Sequence, residues 1–414
     1  MAGRMMDMGP NLAHVGLAGS VSAAHDGLKA ECGGTMGMDV IEAGFVFDTR
    51  SAPANERSAS ACHLLRTSGG TILATMRLGS DREGPDGHTA ILASDDEGRT
   101  WQLRYLGLVD RDWDGRRGET RGWMLVELEP GVLTATVLYV DRLDGRAPWV
   151  DPETQGLLPM YTYHLVSDDG GRSWSRPRRL DLDAWPGPSP TGPILRVRDG
   201  TLLQPFEHWK ARDDASVGRP SAMMIGSGDG IAWSEQIVVA RHPDNALYYY
   251  DQRLVAQPDT GDLVAMFWTH EQAVGRDADV HIAWAPPDGR SWSVPVPTGL
   301  PGQHCSPISL GGDRLLAVYT HRGEPPGIRA CLSGDFGRTW DRSSEIEVWS
   351  AEAGLDRGVG ESRSPGDYWN DMGAWQFGHP VGVALPDGDV LVMFYGGTGA
   401  TRPARWARIS VDGA

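Results

Sequence analysis

Cysteine is scarce in this chain. The four thiols among 414 residues, Cys32, Cys62, Cys305 and Cys331, show no metal-type spacing. Cys62 and Cys305 sit in apolar, strand-like runs and read as buried free thiols. No His-x-His or His-Glu-x-x-His pair occurs among the 12 histidines, so neither a metal nor any other cofactor is expected. The glycine-rich tracts lack the spacing of a nucleotide-phosphate loop. Basic residues are outnumbered, 38 against 55 acids, for a net charge of −17. That balance excludes nucleic acid as a partner, because phosphate binding needs a basic face. It leaves room for a small anion, since a local arginine cluster can override the global sign. No run of 18 apolar residues is present, so no membrane span is expected. Residues 1–37 lack a basic-then-apolar leader pattern and read as an extension, expected to be disordered, to a domain over 38–414. With no clear signal peptide, a cytoplasmic location is expected ahead of a secreted one.

Glycine (54), proline (28) and tryptophan (16) are plentiful, which suits many short strands and turns. One octet recurs. Ser94–Trp101, Ser167–Trp174 and Ser333–Trp340 share the spacing Ser-x-Asp-x-Gly-x-Thr/Ser-Trp. Worn copies end at Trp233, one residue short, and at Trp292, without the serine. Each octet predicts a turn in which the Asp carboxylate accepts backbone N–H groups, Gly takes a conformation other residues avoid, and Trp returns to the core. The role is structural.

A second pattern sets the architecture. Six glycine turns, at Gly70, Gly131, Gly200, Gly261, Gly312 and Gly388, each lead into an apolar strand. One such sheet cannot bury both faces alone, but six around an axis can, so the expected fold is all-β, a six-bladed propeller. The last unit has only the strand-like run 404–411 after its hairpin and lacks a fourth strand. Val40–Asp48 is expected to supply it and close the ring.

The octets resemble the Asp boxes of the sialidase superfamily, and residues 60–101 resemble the opening blade of its bacterial BNR-repeat branch. The resemblance covers about residues 40–414. It implies the sialidase-type propeller and an exo-acting glycosidase that removes a terminal acidic sugar from an oligosaccharide or glycoconjugate. Stacking the six hairpins on their glycines, and following each strand face, brings the polar residues Arg77, Arg121, Glu207, Asp251, Arg253, His304 and Tyr395 to one opening. His208, His270, Glu271, His321 and Arg322 lie just past strand ends. Paired arginines suit a carboxylate. On the family's pattern of an arginine triad, a tyrosine nucleophile activated by a glutamate, and an aspartic acid, the residues fall as follows. Arg253 and Arg322 are two of the arginines, with Arg77 or Arg121 as the third, since Ser60 stands where an Arg-Ile-Pro motif would begin. Tyr395 is the nucleophile, with Tyr250 its rival, and Glu207 the base. Asp86 is the acid, chosen from Asp81, Glu83 and Asp86, and Asp251 a further catalytic carboxyl. His304 and His321 complete the substrate-binding set. Two other readings share the fold: a lyase or hydrolase for a uronate- or rhamnose-containing glycan, with His208, His304 or His321 as base, and a non-catalytic glycan-binding propeller.

Overall fold

The strands of the blades form six antiparallel sheets, four of four strands and two of five, each built from consecutive hairpins except where the ring closes. The computed structural model describes residues 37–107, 112–142, 147–352, 355, 366, 367, 369 and 372–411. The extension and Cys32 lie outside the described residues. Blade one is Ser58–Arg66, Ile72–Gly79, His88–Ser94 and Gln102–Leu106. Blade two is Glu119–Glu129, Val132–Val140, Met160–Ser167 and Arg178–Arg179. Blade three begins with an interrupted inner strand, Ser189–Pro190 and Leu195–Arg196, before Leu202–His208, Ser221–Ser227 and Glu235–Ala240. Blade four is Leu247–Ala256, Leu263–Glu271, His281–Ala285 and Val296–Pro297. Blade five is Cys305–Ser309, Leu315–His321, Gly327–Ser333 and Asp341–Ser350.

Blade six closes the ring. Phe377–Ala384, Val390–Gly396 and Ala404–Val411 are completed by Met38–Phe47, which pairs antiparallel with Ala404–Val411. The first strand of the domain is thus the outer strand of the last blade, as the sequence predicts. This removes an open sheet edge and ties the two ends of the domain together.

The hydrophobic core is divided into six interfaces, one between each pair of neighbouring blades. Blades six and one share Leu391, Met393, Ile72 and Met76; blades five and six share Val318, Ile328, Val392 and Phe394. The same holds around the ring. Second and third strands are covered on both faces, which explains why Leu73, Ile91, Val264 and Leu316 occur in runs without polar alternation. The three described cysteines, Cys62, Cys305 and Cys331, are free and buried.

Each Asp box joins the third strand of a blade to its fourth. In the box of blade five, Asp335 accepts from Ser333 Oγ at 2.9 Å, from the Thr339 amide at 2.8 Å and from Thr339 Oγ1 at 2.6 Å. The Gly337 amide donates to Ser333 Oγ at 2.8 Å. The boxes at Asp96 and Asp169 repeat this pattern. Trp101, Trp174 and Trp340 pack against three different interblade cores. The Asp335→Ala variant removes one half-buried acceptor, so unfolding in denaturant is expected to show a loss of about 1 kcal/mol with the site intact. A loss of ligand binding at unchanged stability would contradict the structural role of the box.

Candidate functional site

The innermost strands carry a repeated defect. Those of blades one, two, four and six each break register at the same depth, between Ser60 and His63, Thr120 and Trp123, Tyr250 and Arg253, and Gly378 and Val381. A β-bulge of this kind re-aims a side chain. Its first residues are Ala61, Arg121, Asp251 and His379. Ala61, Asp251 and His379 have φ of 49°, 51° and 51°, a left-handed conformation that costs a residue with a Cβ on the order of 1 kcal/mol. All four line one cavity of about 320 Å³ at the centre of the ring.

That cavity brings together five of the predicted residues, Arg77, Arg121, Glu207, Asp251 and Arg253, with Arg82, Glu83, His379, Tyr250 and Trp268 beside them. The other five lie elsewhere. Tyr395 is fully buried outside the lining, and its hydroxyl accepts from Arg82 Nε at 3.2 Å. Asp86 accepts from the amide and hydroxyl of Ser80 and fastens its own loop. His304 stands behind Asp251. His321 Nδ1 donates to the Pro325 carbonyl at 3.0 Å. Arg322 donates to Gln303 Oε1 at 2.6 Å and lies over the Trp375 ring at 4.2 Å.

The carboxyl groups of Glu207 and Asp251 are held in opposite states. Glu207 is the last residue but one of the second strand of blade three, half-buried at the cavity wall. Burial pushes its pKa up, the charge of Asp251 pushes it further, and it reaches about 8 despite accepting from the Asp251 amide at 2.9 Å. Burial also acts against the charge of Asp251, but the Arg253 guanidinium outweighs it and holds the carboxyl well below the usual range. Arg253 Nη2 donates to Asp251 Oδ1 at 3.3 Å, and its other nitrogen donates to the Thr191 carbonyl. Glu207 is therefore a proton donor at neutral pH and Asp251 an anion.

Behind Asp251 the rings of His304 and His379 stack, with centroids 4.7 Å apart. Burial, aided for His304 by Arg253 and for His379 by His304, keeps both pKa values low and both rings neutral. Ser306 Oγ donates its proton to the Pro380 carbonyl at 2.8 Å, so it accepts from His304 Nε2 at 3.3 Å. The bare Nδ1 then faces Asp251 Oδ2 at 3.5 Å. The donor atoms of Asp251, His304 and His379 lie within 4.8 Å of one another, as in a divalent-ion site. Here Arg253 Nη2, 3.3 Å from His304 Nδ1, already supplies the bridging cation.

Arginines outnumber carboxylates on the cavity wall. Arg82, Arg121 and Arg253 face Glu83 and Asp251, with Glu207 protonated, an excess of one positive charge in a protein of net charge −17. Arg77 is turned away from the opening: it donates to the carbonyls of Asp81 (3.2 Å), Arg82 (3.0 Å) and Gly84, and pairs with Glu119 at 3.3 Å. It thereby ties down the loop after the first hairpin. That loop delivers Arg82 and Glu83, the acid of the loop that faces the cavity, where the spacing from the octet favours Asp86. His379, Arg82, Glu119 and Arg142 were not singled out by the sequence pattern. His379 is displaced by one position in the glycine stacking. The hairpins of blades one and six enclose five residues, between Arg66 and Ile72 and between Ala384 and Val390; blade four encloses six, between Ala256 and Leu263. Unequal turn lengths are the signal that would have recovered Ala61 and His379 in place of Ser60 and Gly378.

Among the described residues, no helix is long and apolar enough to cross a membrane. No curated protein matches the sequence. Solved structures that align along most of both chains include a protein of unknown function from Dyadobacter fermentans, 19% identical over 91% of this chain and 99% of that one, with a TM-score of 0.68. They also include the intramolecular trans-sialidase of Ruminococcus gnavus in complex with oseltamivir carboxylate, 13% identical over 90% and 98%, TM-score 0.59. A third is the α-L-arabinofuranosidase Arb93A of Fusarium graminearum with an iminosugar inhibitor, 13% identical over 89% and 97%, TM-score 0.57. At these identities the likeness is one of fold, and the fold is the six-bladed propeller of sialidases. The model of the BNR repeat-like domain matches residues 136–392, more than half of the chain, and the chain belongs to that family.

Proposed function

We propose that this protein is an exo-acting glycoside hydrolase that removes a terminal acidic sugar, with Glu207 as general acid and Asp251 as the ionised carboxylate of the pair. The observation that carries the reading is the split between these two groups in one cavity: neighbouring carboxyls pushed to opposite protonation states are what acid-assisted glycoside cleavage requires. Glu207 donates its proton to the leaving oxygen as the bond to the anomeric carbon breaks, and water gives its hydroxyl to that carbon and its proton back to the carboxyl pair. Asp251 faces the positive charge that develops on the sugar ring. Arg253 keeps it ionised and, through Nη2, bridges it to His304 Nδ1. The excess of arginine on the wall supports an anionic ligand. The solved trans-sialidase and arabinofuranosidase propellers support a terminal sugar as the class of substrate.

Tyr395 has no part in this scheme, because its hydroxyl is committed to Arg82 away from the cavity. The test is a panel of fluorogenic glycosides with acidic and neutral terminal sugars, followed across pH. Hydrolysis is expected for an acidic member, level through neutrality and falling above about pH 8 as Glu207 loses its proton. Cleavage that leaves an unsaturated, ultraviolet-absorbing sugar would replace hydrolysis with elimination. Binding without turnover would leave a glycan-binding propeller.

A further inference from the structure

Two arginines at the cavity wall already hold a carboxylate, and it is the protein's own. Glu83 Oε1 accepts from Arg82 Nη1 at 2.5 Å, and Glu83 Oε2 accepts from Arg121 Nη2. All three residues line the cavity. We propose that Arg82 and Arg121 form a carboxylate seat, that Glu83 fills it in the free protein, and that the acidic group of the ligand takes the seat by displacing the Glu83 side chain. The anionic part of this rests on the reading above; the seat itself does not.

The seat is built independently of its occupant. Arg82 is held by Tyr395 through Nε, by the Met372 carbonyl at 2.7 Å and by the face of Trp375 at 5.4 Å. Arg121 lies over the Trp149 ring at 4.3 Å, with Glu119 at 3.6 Å from its other nitrogen. The backbone around Glu83 is equally fixed, by Arg77 on the neighbouring carbonyls and by Arg142, which donates to the Glu83 carbonyl at 2.8 Å. Only the side chain of Glu83 is left to move, and at 14% exposure it already borders water.

The exchange is close to neutral in energy. One carboxylate leaves two guanidinium groups and another replaces it, so no buried charge is left without a partner. A neutral sugar offers no such replacement, and displacing Glu83 would leave Arg82 without its carboxylate and Arg121 with only the more distant Glu119. The device therefore selects for an anion while lowering its apparent affinity, because the empty seat is a minor state.

Acetate is the probe, since it fits a carboxylate seat whatever the sugar. Calorimetric titration of acetate into the wild type, Glu83→Ala and Glu83→Gln is expected to show binding at least about tenfold tighter in both variants. In the Glu83→Ala protein acetate should also raise the melting temperature. Adding Arg121→Met to Glu83→Ala should abolish both effects. Equal affinity in the wild type and the variants, or binding that survives Arg121→Met, would overturn the proposal. Failure of every glycoside in the panel, with acetate behaving as expected, would leave the seat standing and remove the hydrolase.

Discussion

Glu207→Gln is expected to lower kcat by about 10³-fold while raising stability at alkaline pH. The first effect follows from its place as proton donor, since a positioned general acid contributes about 10² to 10⁴ in rate. The loss should shrink for aryl glycosides whose leaving group departs without a proton, which separates a missing acid from a damaged site. The second effect follows from linkage. The unfolded chain releases the Glu207 proton near its ordinary pKa of 4.5, and the native state keeps it up to about 8. Between those limits the native state binds more protons than the unfolded one, so native stability falls as pH rises, by about 1.4 kcal/mol per pH unit when no water screens the group. Glutamine has no proton to keep. Melting curves of the two proteins should therefore nearly coincide at pH 4.5, separate through neutrality and run parallel above pH 8, the variant being the more stable. A separation that does not change with pH would mean that Glu207 is not held protonated, and the assignment of the acid would go with it.

Asp251 is expected to show the opposite dependence, contributing to stability above the ordinary carboxylate range and losing that contribution only in strong acid, because its native pKa is depressed. The two neighbours thus pull the pH–stability curve in opposite directions. The protein tolerates this because both act through one enclosed cavity, where water is replaced by fixed charges and dipoles.

Much of the architecture was legible because it is repetitive. Six glycine turns, three full octets and one unpaired strand at each end of the domain describe a closed ring before any contact is known. The chemistry was legible only in part, for a physical reason. Residues on the inner strands reach the axis through bulges, and a bulge shifts every later residue to the other face. Arg121 and Asp251 fell in the expected register because each lies ten residues before its turn glycine, blade two through a second bulge between Glu127 and Glu129 and blade four through a longer turn; His379 lies nine before its own. Arg82 and Glu83 lie in a loop whose course is set by Arg77, nothing in its spacing revealing which acid would turn inward. Tyr395 occupies a strand end, as the resemblance implies, but the neighbouring guanidinium of Arg82 takes its hydroxyl.

Replacing Arg77 by methionine is expected to cost about 3–5 kcal/mol, a large share of the stability of most domains. The guanidinium is 1% exposed, and burial lowers its pKa to about 10, which leaves it charged at neutral pH. Its nitrogens satisfy three carbonyls of residues 81–84 and one oxygen of Glu119. Methionine fills part of the volume and satisfies none of them. Gly87 packs directly on the guanidinium, so removing that group leaves a gap with no side chain at position 87 to fill it. Arg77→Lys keeps the charge but not the planar fork that reaches several acceptors at once, and should recover less than half of the loss. Denaturant unfolding of the three proteins reads this order. The site should suffer with the fold, because the loop that Arg77 secures carries both Arg82 and Glu83. If Arg77 instead met the ligand directly, methionine would raise KM and leave unfolding almost unchanged, and the division of the wall into one arginine that builds the loop and others that face the cavity would be wrong.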